Sequence, residues 1–569
     1  MKRSIAWLLA ASALAACSEE PSAPAEQLYD CLFGNAHGLD VGQVATAEGA
    51  AGEGICVAAG EQDAQFVYIP FLARGSEGAK LSVEITGGGF APVTGAPNAA
   101  VVPAGAARGA LGPDARIAPP NDRFHHEFLR RERREFNTRL RPAAGPPPGG
   151  ATGLYRDVAP AAVPTVGELI TFNVSTSCDL PDLRTGRVRA VTDRAIIVTD
   201  TANPDGGFNA DDLSFFGETF DTLVDPVAAR HFGTPTDIDG NGRAIMFFTR
   251  AINELNPPDA ESIVLGFFWN GDLFPRTEEP RFQACPTSNL AEMFYLLAPD
   301  PQGEVNGNVV PLDALRRIAV GTIAHEYQHL INAGRRMYVN NAVQFEDVWL
   351  NEALSHISEE LVFYAASGLT PGMNVDLDKL FEQERYVDAF NRYVAQNFSR
   401  YSLYLESPDT ASVVGEDATL ETRGAAWAFL RYAADRAGRD DAEFFSALVN
   451  TGASGVANLG DVIGANALEW MSDWAVSVYA DDAVADALPQ FTQPSWNFRS
   501  ILPALLQRQD FPLAAEPLTP GETTVVTLRG GSAAFRTFGV RAGQRAALVI
   551  DVDDGPPPDN LRGSILRVH

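Results

Sequence analysis

The sequence predicts a multi-domain α+β protein, in which a mixed sheet and then a helical region form a central domain flanked by small β-sandwich-like domains. Three observations indicate this architecture. The 569 residues correspond to roughly four units of about 150 residues. Short β-like runs bounded by glycines occur near both ends of the chain, as expected for strands. Between them, a strand-rich half precedes a half with helical periodicity, which suggests two subdomains with a cleft between them.

Charge and hydropathy narrow the classes of function. The chain has 43 Lys and Arg against 73 Asp and Glu, so its formal net charge is −30. A general nucleic-acid binder needs a basic surface, and no nucleic-acid partner is therefore expected. Mean hydropathy is −0.07, and no run of about 18 apolar residues follows the N-terminus. We expect a globular monomer without a membrane-spanning helix.

The N-terminus has the pattern of an export signal. A positively charged start and a short apolar segment make up residues 1–16, which predicts a cleaved signal peptide. The sequence LAAC, ending at Cys17, resembles the lipobox of bacterial lipoproteins; an ordinary cleavage site with an incidental cysteine is the alternative. The resemblance implies a lipid on Cys17 that attaches the chain to a membrane. Ser18 then implies an outer-membrane lipoprotein, either periplasmic or on the cell surface.

Changes in composition divide the rest of the chain. The predicted order is a flexible tether (17–26), an N-terminal β domain (27–118), a basic helix with a Pro/Gly linker (119–154), the central domain (155–495) and a C-terminal β domain (496–569). The abrupt end after a strand suggests that the last domain is incomplete. Strands are predicted at 66–71, 81–85, 169–174, 187–200, 244–249, 523–528 and 546–552.

Two segments in the terminal β regions are similar to each other. Residues 71–85 align with 538–552 through shared Phe, Arg, Ala and Leu positions and a final apolar-acidic-apolar triplet. The match suggests a pair of related β domains. Chance similarity between two generic strand pairs is the equal alternative.

A run of arginines precedes the linker. Residues 122–141 contain seven arginines and four acidic residues, and a solvated helix is the preferred interpretation. A processing site or a contact with an anionic surface is the alternative. Whether residues 18–150 form a removable prosegment stays open.

Four cysteines remain once Cys17 is assigned to lipid. An even number in an exported chain predicts two disulfides, for which three connectivities exist. The preferred pairs lie within one region each, Cys31 with Cys56 and Cys178 with Cys285. The chain has no CxxC sequence, so a cysteine zinc site or a redox motif is not expected.

The decisive motif for function is HEYQH at 325–329. Apolar residues around it recur at helical spacing, and residues i and i+4 of a helix lie on one face. His325 and His329 can therefore bind one Zn²⁺ through their imidazoles. Glu326, next to the first of them, can act as general base toward water activated by the metal. Two separately satisfied structural histidines are the alternative.

A catalytic zinc normally has a third protein ligand. The metzincin pattern requires Gly and His where this chain has Asn332 and Arg335, so that class is excluded. Residues 345–368 form a second predicted helix. Glu352 lies on it, 23 residues after His329, far enough for the helix to return antiparallel and complete a His₂Glu site.

The two helices together resemble a known enzyme class. HEYQHLIN followed by WLNEALSHISEE, with SNLAEMFYLLAP at 288–299, resembles gluzincin metallopeptidases and is most similar to the hyicolysin family of bacteria. The clear likeness covers about residues 285–365. It implies a zincin-type fold for 155–495, zinc as cofactor and a peptide or protein substrate. By position it implies zinc ligands at His325, His329 and Glu352, a catalytic base at Glu326, and a residue that positions the second helix at Asn351.

The sequence departs from the thermolysin-like pattern in one place. That pattern has Asp four residues after the ligand Glu, where it orients a zinc-bound histidine, but this chain has His356. Glu359, on the face of Glu352 at i+7, is the expected substitute; His356 as an alternative ligand is less favoured. The group that stabilises the oxyanion stays open among Tyr338, Tyr364, Arg423 and a backbone N–H.

Each of two further local sequence patterns has both a functional and a structural interpretation. Asp237, Asp239 and Asn241 alternate oxygen ligands like the start of an EF-hand loop and could hold Ca²⁺. The last ligand of such a loop is missing, because Phe248 stands there, and an Asp/Gly turn is preferred. Residues 266–269 resemble the edge strand that pairs with extended peptide in thermolysin-like enzymes; an ordinary core strand is the equal alternative.

Two functions of different classes follow. The preferred one is a secreted, lipid-anchored zinc metalloendopeptidase with Glu326 as general base. The alternative is a non-catalytic binding or adhesion lipoprotein on a degenerate peptidase scaffold. Intact Glu326 favours the first, whereas His356 leaves room for the second. A zinc hydrolase with a different substrate is a third hypothesis.

Overall fold

The structure is a computed structural model that describes residues 31, 36–76, 78–93, 111, 122–141, 162–258, 260, 263–553 and 555–569. The predicted signal peptide (1–16), Cys17, the tether (17–26) and the linker at 142–154 lie outside the described residues. Within them, no helix combines the length and the apolar character needed to cross a membrane.

Strands dominate both ends of the described chain, and helices dominate its middle. The strands are β1 (Val44–Glu48), β2 (Gly54–Ala58), β3 (Ala64–Leu72), β4 (Lys80–Gly88), β5 (Leu169–Asn173), β6 (Leu183–Val191), β7 (Ala195–Asp200), β8 (Ala244–Thr249), β9 (Gly266–Phe268), β10 (Met293–Leu297), β11 (Glu516–Pro517), β12 (Thr524–Arg529), β13 (Arg536–Val540), β14 (Arg545–Asp551) and β15 (Leu561–Arg567). The α-helices are α1 (Asp122–Arg139), α2 (Ala210–Thr219), α3 (Asp225–Phe232), α4 (Arg250–Glu254), α5 (Leu312–Gly334), α6 (Val348–Ser367), α7 (Leu377–Phe381), α8 (Glu384–Ala389), α9 (Ala395–Glu406), α10 (Leu420–Ala437), α11 (Asp441–Val449), α12 (Gly455–Ile463), α13 (Ala467–Ala480) and α14 (Phe498–Leu505).

Strands from both ends of the chain form one β-sandwich. One sheet has the order β1-β15-β3-β13-β11 and the other the order β12-β4-β14-β2. The prediction of two separate flanking β domains is therefore wrong. The physical reason is that no two of the N-terminal strands β1 to β4 are neighbours in either sheet, so their backbone hydrogen bonds are made with C-terminal strands. β3 and β4 each have C-terminal strands on both sides, and their apolar residues join a common core.

The two similar segments occupy equivalent places in this sandwich. Residues 71–85 run from the end of β3 into β4, and residues 538–552 run from β13 into β14. β3 pairs with β13, and β4 pairs with β14. The similarity thus lies between two halves of one sandwich.

A six-stranded mixed sheet opens the central domain. Its order is β5-β6-β7-β8-β10-β9, with β7, β8 and β10 parallel and the other pairs antiparallel. The single strand predicted at 187–200 is instead parts of β6 and β7, because residues 192–194 turn the chain back. β8, β9 and β10 are fully buried, and β9 and β10 pack against α5.

The helical half of the domain is built around α5 and α6. The two helices pack against each other, α6 packs on α10, and α10 packs on α9. The predicted helices at 315–337 and 345–368 correspond to α5 and α6. α6 ends at Ser367 and is capped by Gly368, whose φ of 78° is left-handed and favours glycine.

Candidate active site

His325 and His329 lie one turn apart on α5 and face each other. Their Nε2 atoms are 3.2 Å apart, and the two residues are only 7% and 6% exposed. The shared face is a direct result of i, i+4 spacing on a helix. Two imidazole nitrogens therefore converge on one buried point.

Glu352 on α6 completes a group of three. Its Oε2 lies 3.6 Å from His325 Nε2, and its Oε1 lies 3.4 Å from His329 Nε2. Two atoms that each lie about 2.0–2.1 Å from one tetrahedral zinc are about 3.3 Å apart. The three ligand atoms therefore have the spacing that a single zinc ion requires, and a His₂Glu set is one that catalytic zinc sites use.

The local charge also favours a cation. Burial lowers the pKa of His325, but the neighbouring carboxylates of Glu352 and Glu359 raise it to about 10. Burial raises the pKa of Glu352, but Arg423 and the two histidines hold it well below its usual range. Glu352 is therefore ionised, and His325 lies among carboxylates that would stabilise a divalent ion.

Both histidines are oriented through their second nitrogen. His325 Nδ1 lies 2.8 Å from Glu359 Oε1, at the residue that i+7 spacing predicts. His329 Nδ1 lies 3.1 Å from the hydroxyl of Ser355, which itself donates to Gln328 at 2.7 Å. Ser355 is a residue that the sequence reasoning missed, although it lies three residues after Glu352 on the same helix. With Nδ1 occupied in each ring, both Nε2 atoms are left for a metal.

His356 lies beside this network. It is fully buried, and its Nδ1 is 3.2 Å from Glu359 Oε1. Burial lowers its pKa to about 3, so the ring is neutral. His325, His356 and Glu359 form a second group with ligand-like spacing. In that group the Glu359 carboxylate is already hydrogen-bonded to His325, so the group with Glu352 is the better-formed site.

Asn351 joins the two helices that hold these ligands. Its Oδ1 accepts a hydrogen bond of 2.8 Å from Asn332 Nδ2 on α5, and both side chains are buried. The bond lies one residue before Glu352 and limits how α6 can slide along α5.

Glu326 lies beside the ligands and faces the edge of the sheet. It is 4% exposed, and the backbone N–H of Phe268 donates to its carboxylate. Burial raises its pKa, which moves it toward the range of an effective general base. Phe268 ends β9, the last strand of the six-stranded sheet, so this strand has the edge position that peptide pairing would require.

A small cavity opens onto Glu326 and His325. Its volume is about 40 Å³, enough for one or two water molecules. His125 of α1, Arg400 of α9 and Arg423 of α10 also line it. Burial and Arg423 lower the pKa of His125 well below its usual value, so its imidazole is neutral.

His125 was missed because α1 differs from the solvated helix that the sequence favoured. Phe124 and Phe128 pack on Phe267 of β9, with ring centroids 6.0 and 5.1 Å apart. Glu132 Oε1 accepts the backbone N–H of Asn270 at 2.9 Å. The prediction of a solvated helix is therefore wrong, and the apolar i, i+4 pair was the signal that the arginine content obscured.

The side chains proposed as oxyanion donors differ in whether they line the cavity beside Glu326. Tyr338 donates its hydroxyl proton to the backbone oxygen of Leu273. The ring of Tyr364 stacks on that of Trp496, with ring centroids 5.6 Å apart. Among these side chains, only Arg423 lines the cavity, within the part of the chain that the structure describes.

The Asp/Gly loop before β8 is a hydrogen-bonded turn. Asp237 accepts the backbone N–H of Gly242, and Asp239 accepts that of Asn241. Asp237 and Asp239 also lie together with buried Glu292 in a group with ligand-like spacing, which does not include Asn241. Calcium at this loop stays a prediction, with Glu292 as the third carboxylate that the sequence pattern did not reveal.

Both preferred disulfides are present. Cys31 pairs with Cys56, inside the N-terminal β segment, and Cys178 pairs with Cys285, inside the central domain. The prediction that each disulfide stays within one region is confirmed.

Comparison with known proteins supports a relationship to metalloproteases. The chain is 30% identical over 145 residues to the neutral metalloprotease ShpI of Staphylococcus hyicus. The match covers 26% of this chain and 30% of that protein. No family model matches the chain. The likeness, together with the His-His-Glu group, suggests a metal-dependent hydrolase, with zinc the fitting metal.

Proposed function

We propose that the protein is a zinc metalloendopeptidase of the gluzincin type, most similar to the hyicolysin family, with residues 155–495 as its zincin-type catalytic domain. The observation that carries the proposal is the spacing of 3.2 to 3.6 Å among the ligand atoms of His325, His329 and Glu352. Glu326 beside them supplies the base that a merely structural zinc site does not need.

The chain's own residues account for the proton transfers of peptide hydrolysis. A bound zinc ion supplies polarisation of the scissile carbonyl and acidifies water. Glu326 takes one proton from the attacking water as its oxygen bonds to the carbonyl carbon. Glu326 then gives this proton to the amide nitrogen as the C–N bond breaks. Glu359 and Ser355 keep the two histidines oriented throughout.

Hydrolysis of casein by the zinc-loaded protein tests this proposal. Glu326→Gln keeps the size of the side chain and removes the base. We expect it to bind zinc like the parent and to lose about 10²- to 10⁴-fold of the activity. Glu443→Gln, at an exposed position of α11, is the matched control. Equal cleavage by the parent and by Glu326→Gln would exclude Glu326 as base. Zinc binding without cleavage by the parent would favour the alternative, a binding or adhesion lipoprotein.

We further propose that the protein is exported as a monomer and held at the outer membrane by a lipid on Cys17. The two disulfides support an oxidising compartment. Expression in a bacterial host with radiolabelled palmitate is expected to label the parent and not Cys17→Ser. Equal labelling of both, or of neither, would contradict lipidation at this residue.

A further inference from the structure

Arg423 is a buried cation at the wall of the candidate active site. It lies in the first turn of α10 and is only 2% exposed. Its Nε donates to the backbone oxygen of Ala418 at 2.9 Å and lies 3.4 Å from Glu352 Oε2. Because α10 packs against both α6 and α9, this guanidinium has little freedom to move away from the site.

One end of the guanidinium has no acceptor. The Nη2 atom of Arg423 is buried and makes no hydrogen bond with the described residues. A buried N–H of a charged group without a partner is costly, and native proteins seldom keep one without a reason. The same side chain lines the cavity onto which Glu326 opens. The side chain that carries this unpaired donor therefore borders the space beside the proposed base.

The guanidinium is close both to the ligand Glu352 and to α1. Its Nε lies 3.4 Å from Glu352 Oε2, and His125 of α1 lines the same cavity. Burial and the charge of Arg423 lower the pKa of His125. The guanidinium thus acts on both walls of the small space beside Glu326.

We infer that Arg423 is a catalytic residue, an inference that rests on the peptide hydrolysis proposed above. Its Nη2 N–H donates to the carbonyl oxygen of the scissile bond and stabilises the negative charge that develops there when water bonds to the carbonyl carbon. Arginine suits this role because it stays protonated at every working pH and is only a donor. The two tyrosines that the sequence offered for this role lie elsewhere.

Arg423→Lys is the variant that tests the inference, because it keeps a positive charge near Glu352 and removes the planar donor pair. Loss of one oxyanion donor typically costs about 10²- to 10³-fold in kcat. We expect a loss of about 100-fold or more in kcat, with KM and zinc affinity within about threefold of the parent. Arg436→Lys, on the same helix and paired with Asp473, is the matched control and should behave like the parent. Arg423→Gln serves as a second variant if the lysine variant melts early.

A second readout does not depend on turnover. A peptide phosphonate mimics the tetrahedral anion, and its affinity for the zinc-loaded protein, measured by calorimetry, is expected to fall by the same factor of about 100 in Arg423→Lys. Unchanged kcat and unchanged phosphonate affinity would overturn the inference. A parallel loss of zinc affinity would also overturn it, since Arg423 would then only position Glu352. A parent that cleaves no peptide yet loses phosphonate affinity in Arg423→Lys would refute the proposed function and leave anion binding by Arg423 standing.

Discussion

Replacing Glu359 by glutamine is expected to weaken zinc binding by about 10- to 100-fold, or roughly 1.4 to 2.8 kcal/mol. Glu359 Oε1 lies 2.8 Å from His325 Nδ1, and both residues are less than a tenth exposed. Glutamine keeps an oxygen at that position but removes the charge that strengthens the hydrogen bond. The imidazole then becomes a weaker and less firmly oriented ligand. The other ligands, His329 and Glu352, make no contact with Glu359 that this change removes.

Glu360→Gln is the matched control for this experiment. Glu360 is the neighbouring residue and is also buried, but it accepts hydrogen bonds from the indoles of Trp427 and Trp496, at 3.1 and 2.5 Å. Its substitution is expected to leave zinc affinity within about threefold. Competition with a chromophoric chelator at neutral pH measures both variants. Equal affinity of Glu359→Gln and the parent would refute the role of Glu359, and an equal loss in both variants would attribute the effect to general loosening of α6.

Three predictions concern stability, each measured by urea unfolding. Phe128→Ala is expected to cost about 3–5 kcal/mol, because this ring is 2% exposed and packs on Phe267; exposed Arg134→Ala on the same helix should stay within about 0.5 kcal/mol, and an equal loss would contradict the packing of α1. Burial raises the pKa of Asp272 from 3.8 to about 7, so the folded state keeps a proton that the unfolded chain releases. The corresponding stabilisation is complete below pH 3.8 and is lost as the pH rises to about 7; Asp272→Asn should flatten this decline, and an unchanged slope would exclude Asp272 as its source. Loss of the disulfide that closes 107 residues between Cys178 and Cys285 is expected to cost about 4 kcal/mol, and a cost near zero would mean that the loop is already restrained without it.

The candidate site could be predicted where its geometry is local to one helix. His325, Glu326 and His329 follow from helical spacing, and Glu359 follows from its i+7 relation to Glu352. The placement of Glu352 also needed the likeness to gluzincins, because spacing alone does not state which helix faces which. Ser355 and Asn351 then depend on the contact between α5 and α6.

Contacts between elements that are distant in sequence could not be predicted, because the residue pattern of one element does not state which other element it packs against. The apolar run of β3 predicts a strand that is buried on both faces, but it does not identify β13, about 470 residues away, as the partner. The apolar residues of α1 likewise do not identify the element that packs on them. Its six arginines lie on a helix whose Phe128 and Phe136 are buried, so the high arginine content predicted a solvated helix although one face is covered.

The sandwich bears directly on whether residues 18–150 could be a removable prosegment. β3 lies between β15 and β13, and β4 lies between β12 and β14. A chain that starts at residue 155 lacks both central strands, so four strands lose a partner and their apolar faces lose their cover. We expect such a chain to aggregate or to lose cooperative unfolding, as judged by size-exclusion chromatography and circular dichroism. A soluble, monodisperse truncation that still binds zinc would show that the first four strands are dispensable. If it aggregates as expected, any control that the N-terminal region exerts on the site must act through α1, whose His125 lines the cavity beside Glu326, and not through removal of the strands.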